Sequence, residues 1–233
     1  MGYQTSAEAI RIAEESGDIL SKGIAYTCHG ASCFGKGVFE EAAKYFLKGI
    51  GFCEQINEKI MNMVAHVYLG EIYFEKGDIP KSEECYRKAY KLIKDSRVFP
   101  SFVGWVNVGL IRAKAMINPK EFDLEALYAL SRNNKLKVVQ GWISSFIGAT
   151  LLNLDEGHLS EAEAWVQKAI EEDQRNGMRF LLGRDYSLYA EWFKRKGDRS
   201  KARENLGRAV EIFKVCGADG WVEKVEKKLA EIA

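Results

Sequence analysis

At 233 residues the chain has room for one large domain or two ordinary ones. It is 47% hydrophobic and 29% charged, a balance that suits a folded globular chain and excludes wholesale disorder. Lys and Arg number 34 against 33 Asp and Glu, so no net field draws it to nucleic acid or to an anionic membrane surface.

Strand-like alternation is hard to find, only three prolines occur, and Ala, Glu, Lys and Leu are abundant, so the expectation is helix throughout. In chain order, helices are predicted near 6–16, 19–35, 38–56, 58–76, 80–95, 100–117, 121–132, 135–155, 159–175, 178–196, 199–215 and 218–232. The first, inside MGYQTSAEAIRIAEE, follows no basic-then-apolar pattern of a secretion signal. It reads as the second helix of a hairpin whose first helix is missing, which implies a piece of a longer protein. No stretch approaches the ~18 uncharged apolar residues of a membrane span. The five cysteines sit in apolar helical contexts as free thiols of a reducing compartment, and the chain is expected to be cytoplasmic. The last helix, ADGWVEKVEKKLAEIA, puts Trp221, Val225 and Leu229 on one face and reads as a cap.

These helices repeat. Gly37, Gly77, Gly157 and Gly197 are spaced by forty residues or a multiple of forty. Five residues after each comes a small residue: Ala42, Ser82, Ala162 and Ala202. Nine residues on stands a larger one (Phe46, Tyr86, Val166, Leu206), and twelve on the small class returns as Gly49, Ala89, Ala169 and Ala209. Seven residues before each glycine are Gly30, Gly70, Thr150 and Ala190. A missing copy would centre near Ile117, where Asn118-Pro119 makes the break and the signature fails.

Small residues let antiparallel helices approach, and the larger column fills the space to the next hairpin. Glycine in the turn permits a left-handed helix end, while Asp78, Asp198, Ser160 and Ser200 lie where N-capping oxygens are useful. One hairpin cannot bury its apolar face alone, so the copies must stack.

The small–large–small columns around a Gly-Asp turn, best seen in YLGEIYFEKGDIPKSEECYRKAYKL at 68–92, resemble the tetratricopeptide repeat (TPR). The forty-residue period resembles its longer, maltose-regulator-like variety. Residues 188–232 look like the C-terminal region of bacterial multidomain cyclase or kinase–ATPase signalling proteins. The resemblance implies an all-α, right-handed superhelical solenoid forming one domain over 1–233. Residues 1–18 would be a partial repeat or an N-terminal helix, 19–217 five hairpins with the third degenerate, and 218–233 the cap.

Motifs with chemical potential yield to structural readings. GASCFGKG, residues 30–37, imitates a phosphate loop, but a real one follows a strand and opens a helix. His29 and Cys33 share a helix face and could begin a zinc site, yet no second His/Cys pair has ligand spacing, and they read as a core pair. Paired glutamates such as Glu40-Glu41 and Glu83-Glu84 read as solvated helix faces. KRKGDRSKAR, residues 194–203, is interrupted by Asp198 and lacks the aromatic interleaving of a nucleic-acid surface. No residue receives a catalytic role, and no metal or cofactor is expected.

In the family the first helix of each hairpin lines the inner, concave face. The matching positions here are Thr27 and Phe34, then Val64, Val67, Glu71, Phe74 and Glu75, then Ile147 and Leu151, then Arg184, Ser187, Glu191 and Lys194. The resemblance implies a non-catalytic interaction or regulatory scaffold binding a peptide, a helix or a neighbouring domain there. The alternative is a small-molecule sensor with a pocket near the degenerate third repeat, lined by Trp105, Asn107, Phe122, Tyr128 and Trp142. Oligomeric state is not legible.

Overall fold

The computed structural model describes residues 2–95, 100–119 and 123–232. Every regular element among the described residues is a helix. They are α1 (Gly2–Ser16), α2 (Ile19–Lys36), α3 (Phe39–Gln55), α4 (Ile60–Glu75), α5 (Ile79–Ile93) and α6 (Pro100–Ile117). Then come α7 (Leu124–Asn133), α8 (Lys137–Leu152), α9 (Leu159–Arg175), α10 (Arg179–Arg195), α11 (Arg199–Cys216) and α12 (Asp219–Glu231), with a 3-10 turn at Glu156–His158 before α9. Each corresponds to a predicted helix, although α1 starts at Gly2 and the first residues expected for α7 lie outside the described set.

Two compact units result, Met1–Ala113 and Lys114–Ala233, divided inside α6. The division falls where the glycine signature fails. Within the first unit α1 packs on α2, α2 on α3, α3 on α4 and α4 on α5. Within the second, each helix from α7 to α12 packs on the next, and α10 also touches α8. Both are all-α stacks of helical hairpins, the class the columns predict.

The turns follow from their residues. Gly37, Gly77 and Gly197 all adopt positive φ at helix C-termini, where a Cβ would be strained. Asp78 and Asp198 cap α5 and α11 by accepting from Lys81 N and Lys201 N at 3.2 and 3.0 Å. Gly157 departs from the pattern, since it lies in the 3-10 turn. Ser160 and Ser200 do not cap. They are the second residues of α9 and α11, whose cap positions belong to His158 and Asp198.

A second turn series separates successive hairpins: Gly17, Asn57, Gly177 and Gly217 all have positive φ, again in a forty-residue register. Asn57 is the one non-glycine among the described residues to do so, and Asn tolerates that region better than most.

The small and large columns interlock as expected. Ala42, Ser82, Ala162 and Ala202 are fully enclosed or nearly so, as are Phe46, Tyr86, Val166 and Leu206. A Cβ on Gly30 would stand 2.8 Å from the Phe46 ring, and one on Gly70 would stand 2.8 Å from the Tyr86 ring. Tyr86 is held on its other side by Gly109 of α6, where a Cβ would overlap the ring.

Gly109→Ala therefore forces overpacking, which costs about 1–3 kcal/mol, set against a helix-propensity gain of up to about 1 kcal/mol. Gly207 lies mid-helix in α11 with nothing near its missing Cβ, so Gly207→Ala takes the propensity gain alone. Urea unfolding should show the first variant destabilised and the second stabilised.

Candidate functional site

The first helices of the hairpins, α2, α4, α8 and α10, carry all thirteen inward positions expected from the sequence. Six of these are buried: Thr27, Phe34, Val67, Glu71, Ile147 and Leu151. They belong to the packing between helices and present no surface to a partner. Val64, Phe74 and Glu75 on α4 and Arg184, Ser187 and Glu191 on α10 are half-buried, while Lys194 is exposed. The accessible part of the predicted face thus reduces to two short strips, one in each unit.

The α4 strip rests on a polar node. Glu71 is fully enclosed and receives the Tyr86 hydroxyl at 2.6 Å and the Arg112 guanidinium of α6. Arg112 in turn lies with its guanidinium carbon 3.8 Å from the centre of the Phe74 ring. A buried carboxylate is tolerable only when paired and hydrogen-bonded, and here both conditions hold. Phe74, placed from sequence at the surface, is therefore also the lid on an ion pair.

The α10 strip adjoins a different arrangement. Asp173 of α9 and Asp185 of α10 are buried, and the Asp173 carboxyl fills the space that a Cβ on Gly141 of α8 would take. Burial raises the Asp173 carboxyl to about 7, and it raises Asp185 as well, reinforced by the neighbouring Asp173 charge. Arg184 works weakly in the other direction, with its guanidinium spread between Trp142 and Trp221 at 5.9 and 5.3 Å from their ring centres. Two carboxyls so close ionise as a pair, and a shared proton supplies the hydrogen that neither brings when charged. Next to them the Ser144 hydroxyl donates to Glu172 at 2.7 Å. Nothing in the spacing of the sequence marked this pair, because its members come from different helices.

A third cluster joins α1, α2 and α3. A ring nitrogen of His29, the Cys33 sulfur and a Glu41 oxygen all lie within 4.8 Å of one another. Burial pushes the Cys33 thiol up to about 11, with Glu41 adding to the effect, and burial lowers His29. The sequence places Glu41 on a solvated helix face, beside Glu40. The Gly37 turn instead swings it towards the His29 and Cys33 side chains. A shallow open groove of about 360 Å³ lies in the same unit, lined by Glu14, Tyr26, Lys48, Gly51, Phe52 and Gln55.

The remaining candidates resolve plainly. Residues 30–36 of the phosphate-loop imitation are the C-terminal half of α2, and Gly37 ends it. That end presents carbonyls, the wrong polarity for phosphate. In the basic run, Arg195 bonds the Leu152 carbonyl and, at 2.9 Å, the Asn153 side chain, so it caps α8. Of the alternative pocket residues, Trp105 and Asn107 fall in the first unit and Tyr128 and Trp142 in the second, while Phe122 lies outside the described residues. Tyr128 stacks on Trp165 and Trp142 packs edge-on against Phe146.

A hairpin with a left-handed glycine turn, small residues facing Tyr86 and a partly open first helix is on view in α4 and α5. Residues 64–96 match the tetratricopeptide-repeat family. The matched stretch contains the best copy of the forty-residue unit, and with the all-helical repeat it supports a TPR protein. TPR repeats generally mediate protein–protein interaction and are typically non-catalytic. No curated protein matches the chain. No helix among the described residues is long and apolar enough to cross a membrane.

The acid pair makes a pH prediction. A native carboxyl raised above its unfolded value of about 3.9 stabilises fully below that value, and the stabilisation is lost as pH rises through the folded value. Stability should therefore fall between about pH 4 and pH 7 by as much as ~1.4 kcal/mol per pH unit for each proton retained. Asp185→Asn keeps the shape without the charge. Its thermal midpoint should rise against the wild type at pH 8, and the gain should shrink or vanish at pH 5.

Proposed function

We propose that the protein is a non-catalytic interaction module, binding a peptide, a helix or a neighbouring domain along the first helices of its hairpins. The observation that carries this is the match at 64–96 on a hairpin whose first helix leaves Val64, Phe74 and Glu75 partly open. On this reading the whole chain serves as one solenoid domain of a cytoplasmic, bacterial signalling protein of the maltose-regulator-like kind. The α4 strip offers an apolar pair beside a carboxylate, and the α10 strip offers Arg184 and Lys194 beside Glu191. Taken separately, the α4 strip suits an extended or helical segment with an apolar anchor, and the α10 strip suits one with charged groups.

The test is capture from lysate with three variants, each checked for helicity by circular dichroism. Val64→Asp and Glu75→Arg alter the α4 strip, and Leu47→Asp alters an exposed position on α3. Wild type and Leu47→Asp should capture the same partner, and the α4 variants should lose it. Equal capture by all four proteins would remove the first-helix face from the proposal. Empty captures together with a thermal shift on a metabolite would favour the small-molecule reading.

A further inference from the structure

The cluster of His29, Cys33 and Glu41 has no counterpart in the other hairpins. The corresponding positions forty residues on are Leu69, Tyr73 and Lys81, and at one hundred and sixty they are Tyr189, Phe193 and Lys201. In those two hairpins a lysine lies over an aromatic ring instead, Lys81 over Tyr73 and Lys201 over Phe193, so the packing does not require an imidazole, a thiol and a carboxylate in contact. His29 and Cys33 lie one turn apart on α2 and are buried, while Glu41 enters from the first turn of α3 and is half-buried.

The surroundings orient the donors. Ser6 Oγ of α1 lies 2.8 Å from His29 Nδ1 and within hydrogen-bond reach of the Tyr3 carbonyl at 2.9 Å and the Ser32 hydroxyl at 3.0 Å. This contact at Nδ1 fixes the orientation of the imidazole ring. The Tyr3 hydroxyl donates to Glu41 Oε1 at 3.4 Å. The rings of Tyr3 and Tyr45 hold the imidazole from two sides, with centroids 4.9 and 4.4 Å away. Partners of this kind, which fix a ring and a carboxylate without binding the ion themselves, are what metal-ligating side chains ordinarily have.

We propose that His29, Cys33 and Glu41 bind a divalent transition-metal ion of the zinc class. Ligand bonds of about 2.0–2.3 Å at tetrahedral angles place donor atoms about 3.3–3.8 Å apart, so donors within 4.8 Å reach that geometry by small side-chain rotations. A thiolate and a carboxylate together neutralise a divalent charge, which lets it sit in a largely enclosed site. The mixed nitrogen, sulfur and oxygen set favours zinc or cobalt over calcium or magnesium, which take oxygen ligands. Three protein ligands leave the fourth position to water or to the Tyr3 hydroxyl.

The experiment uses the full chain with the exposed Cys28 and Cys216 changed to serine, titrated with Co2+ under reducing conditions. The proposal expects one equivalent of Co2+ with thiolate-to-metal charge-transfer absorption and tetrahedral visible bands, displaced by one equivalent of Zn2+. Cys33→Ser should abolish the charge-transfer band, and Glu41→Gln should weaken Co2+ binding by about tenfold or more while leaving helicity intact. No charge-transfer band at saturating Co2+ would overturn the site, as would unchanged affinity in Glu41→Gln. Should Cys33→Ser fail to fold, the Glu41→Gln comparison decides alone, because that side chain is half-exposed and its amide keeps the shape.

Discussion

The structure depends on the fit of one large side chain against glycine across a helix pair. Tyr86 makes the point most fully: Gly70 and Gly109 contact its ring from two helices, and its hydroxyl ends on Glu71. Without those two glycines the helices on either side could not approach, because close-packed interiors have no slack for an added methyl group. Phe46 against Gly30 applies the same constraint one repeat earlier, and Phe213 against Gly183 applies it near the other end of the chain. The size of the pairs varies, but the complementarity does not.

The two units handle buried charge in opposite ways. In the first, Glu71 is enclosed with a cation and a hydroxyl already in place, so its charge is matched. In the second, Asp173 and Asp185 face each other across α9 and α10, and a proton does the work that an arginine does in the first. A proton-sharing pair holds its geometry only while the proton stays, so the stability this pair lends the second unit is lost as pH rises.

Most of the fold was legible because its rules act at fixed spacing along the chain. The small and large columns, the Gly37, Gly77 and Gly197 turns and the helices α2–α5 and α8–α11 follow from residues forty apart. The second turn series was harder to read because Asn57 breaks a run of glycines, although Gly17, Gly177 and Gly217 keep the register. The candidate surface was only half legible. Family positions indicate which helix faces a partner, but whether Thr27, Val67 or Ile147 is covered depends on the neighbouring helix, which spacing does not encode. The same limit hid Glu41 and the acid pair, whose partners meet only after the hairpins close.

Because the columns are read in phase, the helices of this chain tolerate changes of length only in whole units. One residue inserted in α5 ahead of Tyr86 would rotate everything after it by about 100° around the helix axis. Tyr86 would leave the gap between Gly70 and Gly109, and Cys85 or the inserted residue would stand in its place. Forty inserted residues would restore every column and add one more hairpin to the stack. Gain and loss of entire repeats is thus the route by which such a protein can change its reach without losing its core.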